Sequence, residues 1–185
     1  MSSKHVAKMA LWLALVSVLS IISFPIGPVP ITLQVFAFFL MAAFLNPIEA
    51  LEVSIGYLIL GAIGIPIFAG GASGIATLVG PTGGYLWGFV PAAWIASTAW
   101  RKNGVGRVIL LALSLLSIYI PGALLLSTYV NGIVNAIRVG VLPFIWIDAI
   151  KIVLVFPIAY KVRNFSESMA FNGNGGKQNN IASRK

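Results

Sequence analysis

The chain contains no cysteine and a single histidine, His5, near its start. Disulfides, thiolate chemistry and cysteine-ligated metals are therefore excluded, and no histidine is placed to serve a serine nucleophile within the apolar segments. Charge is also scarce: Asp, Glu, Lys and Arg make up 9% of the 185 residues, against about 25% in ordinary soluble domains. Asp148 is the only aspartate, so the pair of aspartates that an intramembrane aspartyl protease needs to share a proton is missing. Glu49 and Glu52 follow Asn46-Pro47 and suit a solvated helix start instead. Gly80-Pro81-Thr82-Gly83-Gly84 is glycine-rich, yet no lysine follows it to reach a phosphate, which removes nucleotide hydrolysis. The inventory is that of a protein that is not an enzyme.

Apolar residues are abundant, at 59% of the chain with a mean hydropathy of +0.98, which indicates a membrane protein. The formal charge of +8 could suggest nucleic acid, but the basic residues border apolar runs rather than forming a patch interleaved with aromatics. Lys4 and Lys8 precede the first run, Arg101, Lys102 and Arg107 flank one polar loop, and Lys161, Arg163, Lys177, Arg184 and Lys185 follow the last. Retention of positive charge inside the cell puts both termini in the cytoplasm, with no nucleic-acid partner. The first run lacks a small-residue cleavage pattern over 20–28 and reads as a retained helix.

Six spans are expected, over 6–24, 31–45, 48–63, 82–100, 108–126 and 142–160, giving an all-α membrane domain over 1–165. The second and third are short for a core roughly 30 Å thick. The polar, Asn- and Gly-rich residues 166–185 read as a disordered cytoplasmic tail. On the outer side, 64–80 is long and glycine-rich but still apolar, as expected of a lid packed on the bundle.

Asp148 and Lys151 stand inside the last apolar run, where each charge costs several kcal/mol, about 3 on insertion scales. Spaced i to i+3 on a helix, they can neutralise each other and still offer hydrogen bonds. About 9 and 14 Å along the axis from Leu142, they lie too deep for Lys151 to reach the outer surface. A structural ion pair and a ligand contact both fit. Gln34 follows Pro28-Val29-Pro30 and serves either as a helix-start cap or as an amide in a cavity, while Thr82 and Tyr85 suit either a packed turn or a ligand site. Ala7, Ala10 and Ala14 give the first helix a face for close approach, which ordinary internal packing explains equally well.

Four strings together resemble the BioY family, the biotin-specific substrate-binding (S) components of energy-coupling factor (ECF) transporters. They are Gly27-Pro28-Val29-Pro30-Ile31-Thr32-Leu33-Gln34-Val35-Phe36, Leu60-Gly61-Ala62-Ile63-Gly64-Ile65-Pro66-Ile67-Phe68-Ala69-Gly70, Gly80-Pro81-Thr82-Gly83-Gly84-Tyr85-Leu86 and Asp148-Ala149-Ile150-Lys151. The resemblance implies a six-helix S-component fold in the cell membrane, with a biotin site near the outer face. It places Asp148 and Lys151 at the ureido ring, and adds Gln34, Gly70, Gly71, Thr82 and Tyr85 as substrate-binding candidates. A carboxylate can take the two ureido N–H donors while an ammonium serves the carbonyl.

Phe68, Tyr85 or Trp146 are candidates to cover the thiophane ring. Arg138 or the backbone of 70–74 is the candidate for the carboxylate end, with Ser73 or Thr77 in place of a loop asparagine. Ala10-Leu11-Trp12-Leu13-Ala14 matches the small-residue pattern by which such proteins dock a transmembrane coupling subunit, so Ala10 and Ala14 are the partner-binding candidates. Biotin is implied as cargo rather than cofactor, and ATP as bound by two partner ATPase subunits. An S component for another vitamin, or a membrane protein without transport function, are the alternatives.

Overall fold

The computed structural model describes the backbone of residues 2–25 and 27–182, and side chains as far as Val162. The fold is helical. Ser2 caps α1 (Ser3–Ile21) by accepting from the His5 amide. Asn46 opens α3 (Pro47–Ala62) with a reciprocal capping box to Glu49 and a proline in the first turn, as its sequence suggests. Glu49 also accepts from Lys8 at 2.8 Å, and Glu52 meets the His5 ring at 2.9 Å. Both glutamates therefore tie α3 to α1, but only Glu49 also serves the helix start.

The expected helix over 31–45 begins later. Ile31 and Thr32 form β2 (Ile31–Thr32), paired antiparallel with β1 (Ser23–Phe24), and α2 runs Gln34–Phe44. Pro28 and Pro30 favour extended backbone, and Ile31-Thr32 can satisfy its polar groups on the strand leaving α1. The segment 64–80 carries a 3-10 turn (Ala69–Gly71) and α4 (Ile75–Val79). Ile67, Phe68 and Leu78 are buried beneath it, whereas Ile65, Ile75 and Val79 remain exposed. It is a lid with one packed face.

The remaining helices are α5 (Gly83–Ala99), α6 (Gly104–Leu126), α7 (Ile133–Gly140) and α8 (Leu142–Ala182). Among the described residues, three segments are long and apolar enough to cross a membrane: Ser3–Ile21, Gly104–Leu126 and Ile133–Val162. At 11 residues, α2 rises only about 16 Å. The expectation of a disordered tail over 166–185 falls where the structure describes backbone alone, as the end of α8 up to Ala182, with the side chains and residues 183–185 outside the described part.

Close helix approach sets the shape of the interior. A Cβ on Gly84 of α5 would collide with the backbone of Pro121 in α6, so glycine lets these two helices meet at backbone distance. Phe38 of α2 stacks on Phe89 of α5, ring centres 4.4 Å apart, and Tyr57 of α3 meets Phe38 and Phe68 edge-on. Ser114 of α6 donates to the Ala92 carbonyl of α5 at 2.7 Å, satisfying a buried hydroxyl between helices. Leu11, Val105, Val153 and many other large aliphatics face outward, which suits a surface solvated by lipid.

Candidate functional site

A cavity opens where α2, α5, α6 and α8 converge beneath the lid. Its polar side is built from Thr32, Gln34, Tyr119, Asp148 and Lys151, and its apolar side includes Phe68, Leu86, Phe89, Ile118 and Phe144. Helical spacing brings Asp148 and Lys151 of α8 together: Lys151 Nζ donates to Asp148 Oδ1 at 2.7 Å. Both residues are buried, at 3% and 8% exposure.

Two further contacts complete the pair. The Tyr119 hydroxyl, from α6, donates to Asp148 Oδ2 at 2.7 Å. Lys151 Nζ donates a second bond to the Thr32 carbonyl of β2, also at 2.7 Å. The ammonium thereby uses two of its three protons, and each carboxylate oxygen keeps a lone pair. A neutral pair with a spare donor and spare acceptors is chemically matched to a neutral polar group, because a net charge brought there would be uncompensated.

Gln34 sits at the first turn of α2, where its backbone N–H is capped by the Thr32 hydroxyl at 3.2 Å. Its side-chain amide donates to Tyr57 at 2.8 Å and caps no backbone N–H of α2, so Gln34 is the capped residue rather than the cap, and its amide lies on the cavity wall. Tyr85 lines the cavity with its ring, while its hydroxyl donates to the Gly140 carbonyl at 2.9 Å, linking α5 to α7. A Cβ on Gly140 would strike that hydroxyl. Thr82 also lines the cavity. In the string 80–84, then, Gly84 serves helix packing while Thr82 faces the site.

The other candidates lie elsewhere. Gly70 and Gly71 adopt positive φ in the lid turn and are not among the lining residues, whereas Ala69 and Ala72 on either side of them are. Thr77 lines the cavity, but its hydroxyl is spent on the Ser73 carbonyl. Arg138 is exposed on α7 and Trp146 is 77% exposed on α8, so neither covers the cavity. Trp146 is two positions from Asp148, a spacing that points it to the opposite side of the helix. Ala7, Ala10 and Ala14 all lie on the exposed face of α1, away from the cavity. The described residues hold no cluster of metal-ligating side chains.

Sequence reasoning did not single out Tyr119, Tyr57 or the Thr32 carbonyl. For Tyr119 a signal existed, since a hydroxyl in the aliphatic run of α6 needs a partner as the buried charges do. The Thr32 carbonyl, a backbone group, carries no such signal.

Fold and cavity define a helical membrane protein with an internal site built on a buried ion pair. The chain belongs to the BioY family, whose model matches residues 1–168. It is 40% identical over 162 residues to the biotin transporter BioY of Thermotoga maritima, covering 86% of this chain and 96% of the relative. To the probable biotin transporter BioY of Pyrococcus horikoshii it is 42% identical over 163 residues, covering 88% and 98%. A crystal structure of the S-component for biotin from an ECF-type ABC transporter aligns with a TM-score of 0.77 at 27% identity, covering 89% of this chain and 95% of that one. The expected helical S-component fold is thus the observed one, while of the six expected spans three are long and apolar enough to cross a membrane among the described residues.

Proposed function

We propose that this chain captures biotin as the S component of an ECF-type transporter in the cell membrane. The observation that carries the reading is the buried, internally neutral Asp148–Lys151 pair on the wall of a largely apolar cavity. It is supported by relatives named as biotin transporters. A ureido ring has two N–H donors and one carbonyl acceptor, which complements the spare lone pairs of Asp148 and the third proton of Lys151. Phe68, Tyr85 and Phe89 offer apolar surface to the ring system and chain. Lys151 is the one cation among the lining residues and is committed to Asp148, so the ligand carboxylate meets neutral donors such as Thr82.

In this reading uptake is driven by ATP hydrolysed in two partner ATPase subunits. The transmembrane coupling subunit docks on the small-residue face of α1 that carries Ala10 and Ala14. Both termini lie in the cytoplasm, following the basic residues that flank the apolar runs. Titrating purified protein with biotin, desthiobiotin, thiamine and riboflavin tests the substrate. Binding of biotin and desthiobiotin alone is expected, and a preference for either of the other two vitamins overturns the assignment. One observation favours a purely structural pair instead: Tyr119 and Thr32 already satisfy Asp148 and Lys151 without a ligand.

A further inference from the structure

Beside the ion pair, a chain of hydrogen bonds dictates which way Gln34 presents its amide. Tyr57 of α3 is fully buried, and its hydroxyl lies 2.9 Å from the Ile67 carbonyl at the base of the lid. A carbonyl only accepts, so the single hydroxyl proton goes to Ile67. The phenolic oxygen then accepts from Gln34, 2.8 Å away, which turns the NH2 group toward Tyr57. Oε1 is left on the opposite side of the planar amide, the side of Thr32, whose hydroxyl is a long 3.4 Å away. That oxygen retains acceptor capacity where Thr32 and Gln34 both line the cavity.

We infer that Tyr57 is a positioning residue with two linked roles: it makes Gln34 present an acceptor to the cavity, and it pins the lid to α3 through Ile67. Ile67 directly precedes Phe68, which covers the site and packs edge-on against the Tyr57 ring at 5.4 Å. One hydroxyl therefore couples the polarity of the cavity wall to the placement of its cover. The ligand half of the inference rests on the proposed biotin function, and the lid half does not.

The test pairs biotin titration with hydrogen exchange of residues 65–74 in ligand-free protein. Tyr57→Phe keeps the ring and removes the hydroxyl; it is expected to bind biotin roughly tenfold more weakly and to exchange faster across the lid. Gln34→Leu is expected to weaken binding without speeding lid exchange, because the bond from Tyr57 to Ile67 survives. Combined, the two losses of affinity should be less than multiplicative, which a merely structural Tyr57 would not give. Gln34→Glu leaves Tyr57 in place and covers the case in which Tyr57→Phe does not fold. Its carboxylate competes with Ile67 for the one hydroxyl proton, so lid exchange should rise above that of Gln34→Leu. Unchanged lid exchange in Tyr57→Phe, strictly multiplicative affinity losses, or equal exchange in Gln34→Glu and Gln34→Leu overturns the inference. Absence of biotin binding by the unmutated protein refutes the transport reading, while the exchange comparisons still decide the role of Tyr57.

Discussion

Replacing both members of the buried pair separates a structural role from a ligand-binding one. In Asp148→Asn the Lys151 ammonium keeps its charge, at 8% exposure, with the Thr32 carbonyl and a neutral amide for company. Stranding a buried charge costs about 3 to 5 kcal/mol, a large part of the 5 to 15 kcal/mol or so that typically holds a folded protein together. Lys151→Met strands Asp148 in the same way, with only the Tyr119 hydroxyl left to it. The double variant Asp148→Asn/Lys151→Met removes both charges, and exchanging a whole buried pair for neutral groups is often close to neutral for stability. Its thermal midpoint in detergent should therefore recover most of what either single variant loses.

Biotin affinity should not recover with it. Charge-assisted hydrogen bonds are worth about 1.5 to 3 kcal/mol each, so loss of one from each residue weakens binding by at least about a hundredfold. Calorimetric titration of the double variant at matched folded fraction provides the reading. A stable double variant that binds biotin within about threefold of the unmutated protein, less than one hydrogen bond's worth, would show the pair to be structural and sink the site assignment.

Tyr119→Phe removes one hydrogen bond to Asp148 Oδ2 and should cost about 0.5 to 1.5 kcal/mol of biotin affinity, less than Asp148→Asn does in the same titration. Gly84→Ala sets a methyl group against the Pro121 backbone; an overpacked contact costs about 1 to 3 kcal/mol, and a lowered thermal midpoint checks it. Replacing Ala10 and Ala14 together by tryptophan, on the exposed face of α1, should abolish uptake by cells that express the coupling and ATPase subunits. Biotin binding in detergent should survive, and loss of both would indicate a folding defect rather than a lost docking face. Trp146→Ala should leave biotin affinity unchanged, since that ring is 77% exposed and outside the cavity.

Composition and periodicity alone determine much of this protein. Scarce charge and long apolar runs require helices in lipid, because a bilayer leaves no water to satisfy open backbone. Asn46-Pro47 with Glu49 three residues past the cap specifies the start of α3 locally. The cost of charge in an apolar run marks Asp148 and Lys151 as a pair, since i to i+3 neighbours meet on any helix. Contacts between distant segments are another matter. The Thr32 carbonyl reaches Lys151 across 119 positions and Tyr119 reaches Asp148 across 29, and nothing local encodes either. Ile31 and Thr32 read as the start of a helix until β1 supplies a partner strand. Trp146 and Phe68 were equal candidates to cover the site, until helix orientation turned one to the exterior and the lid folded the other in. Burial energies that act at each residue are legible in the chain; which donor meets which acceptor is decided only when the helices pack.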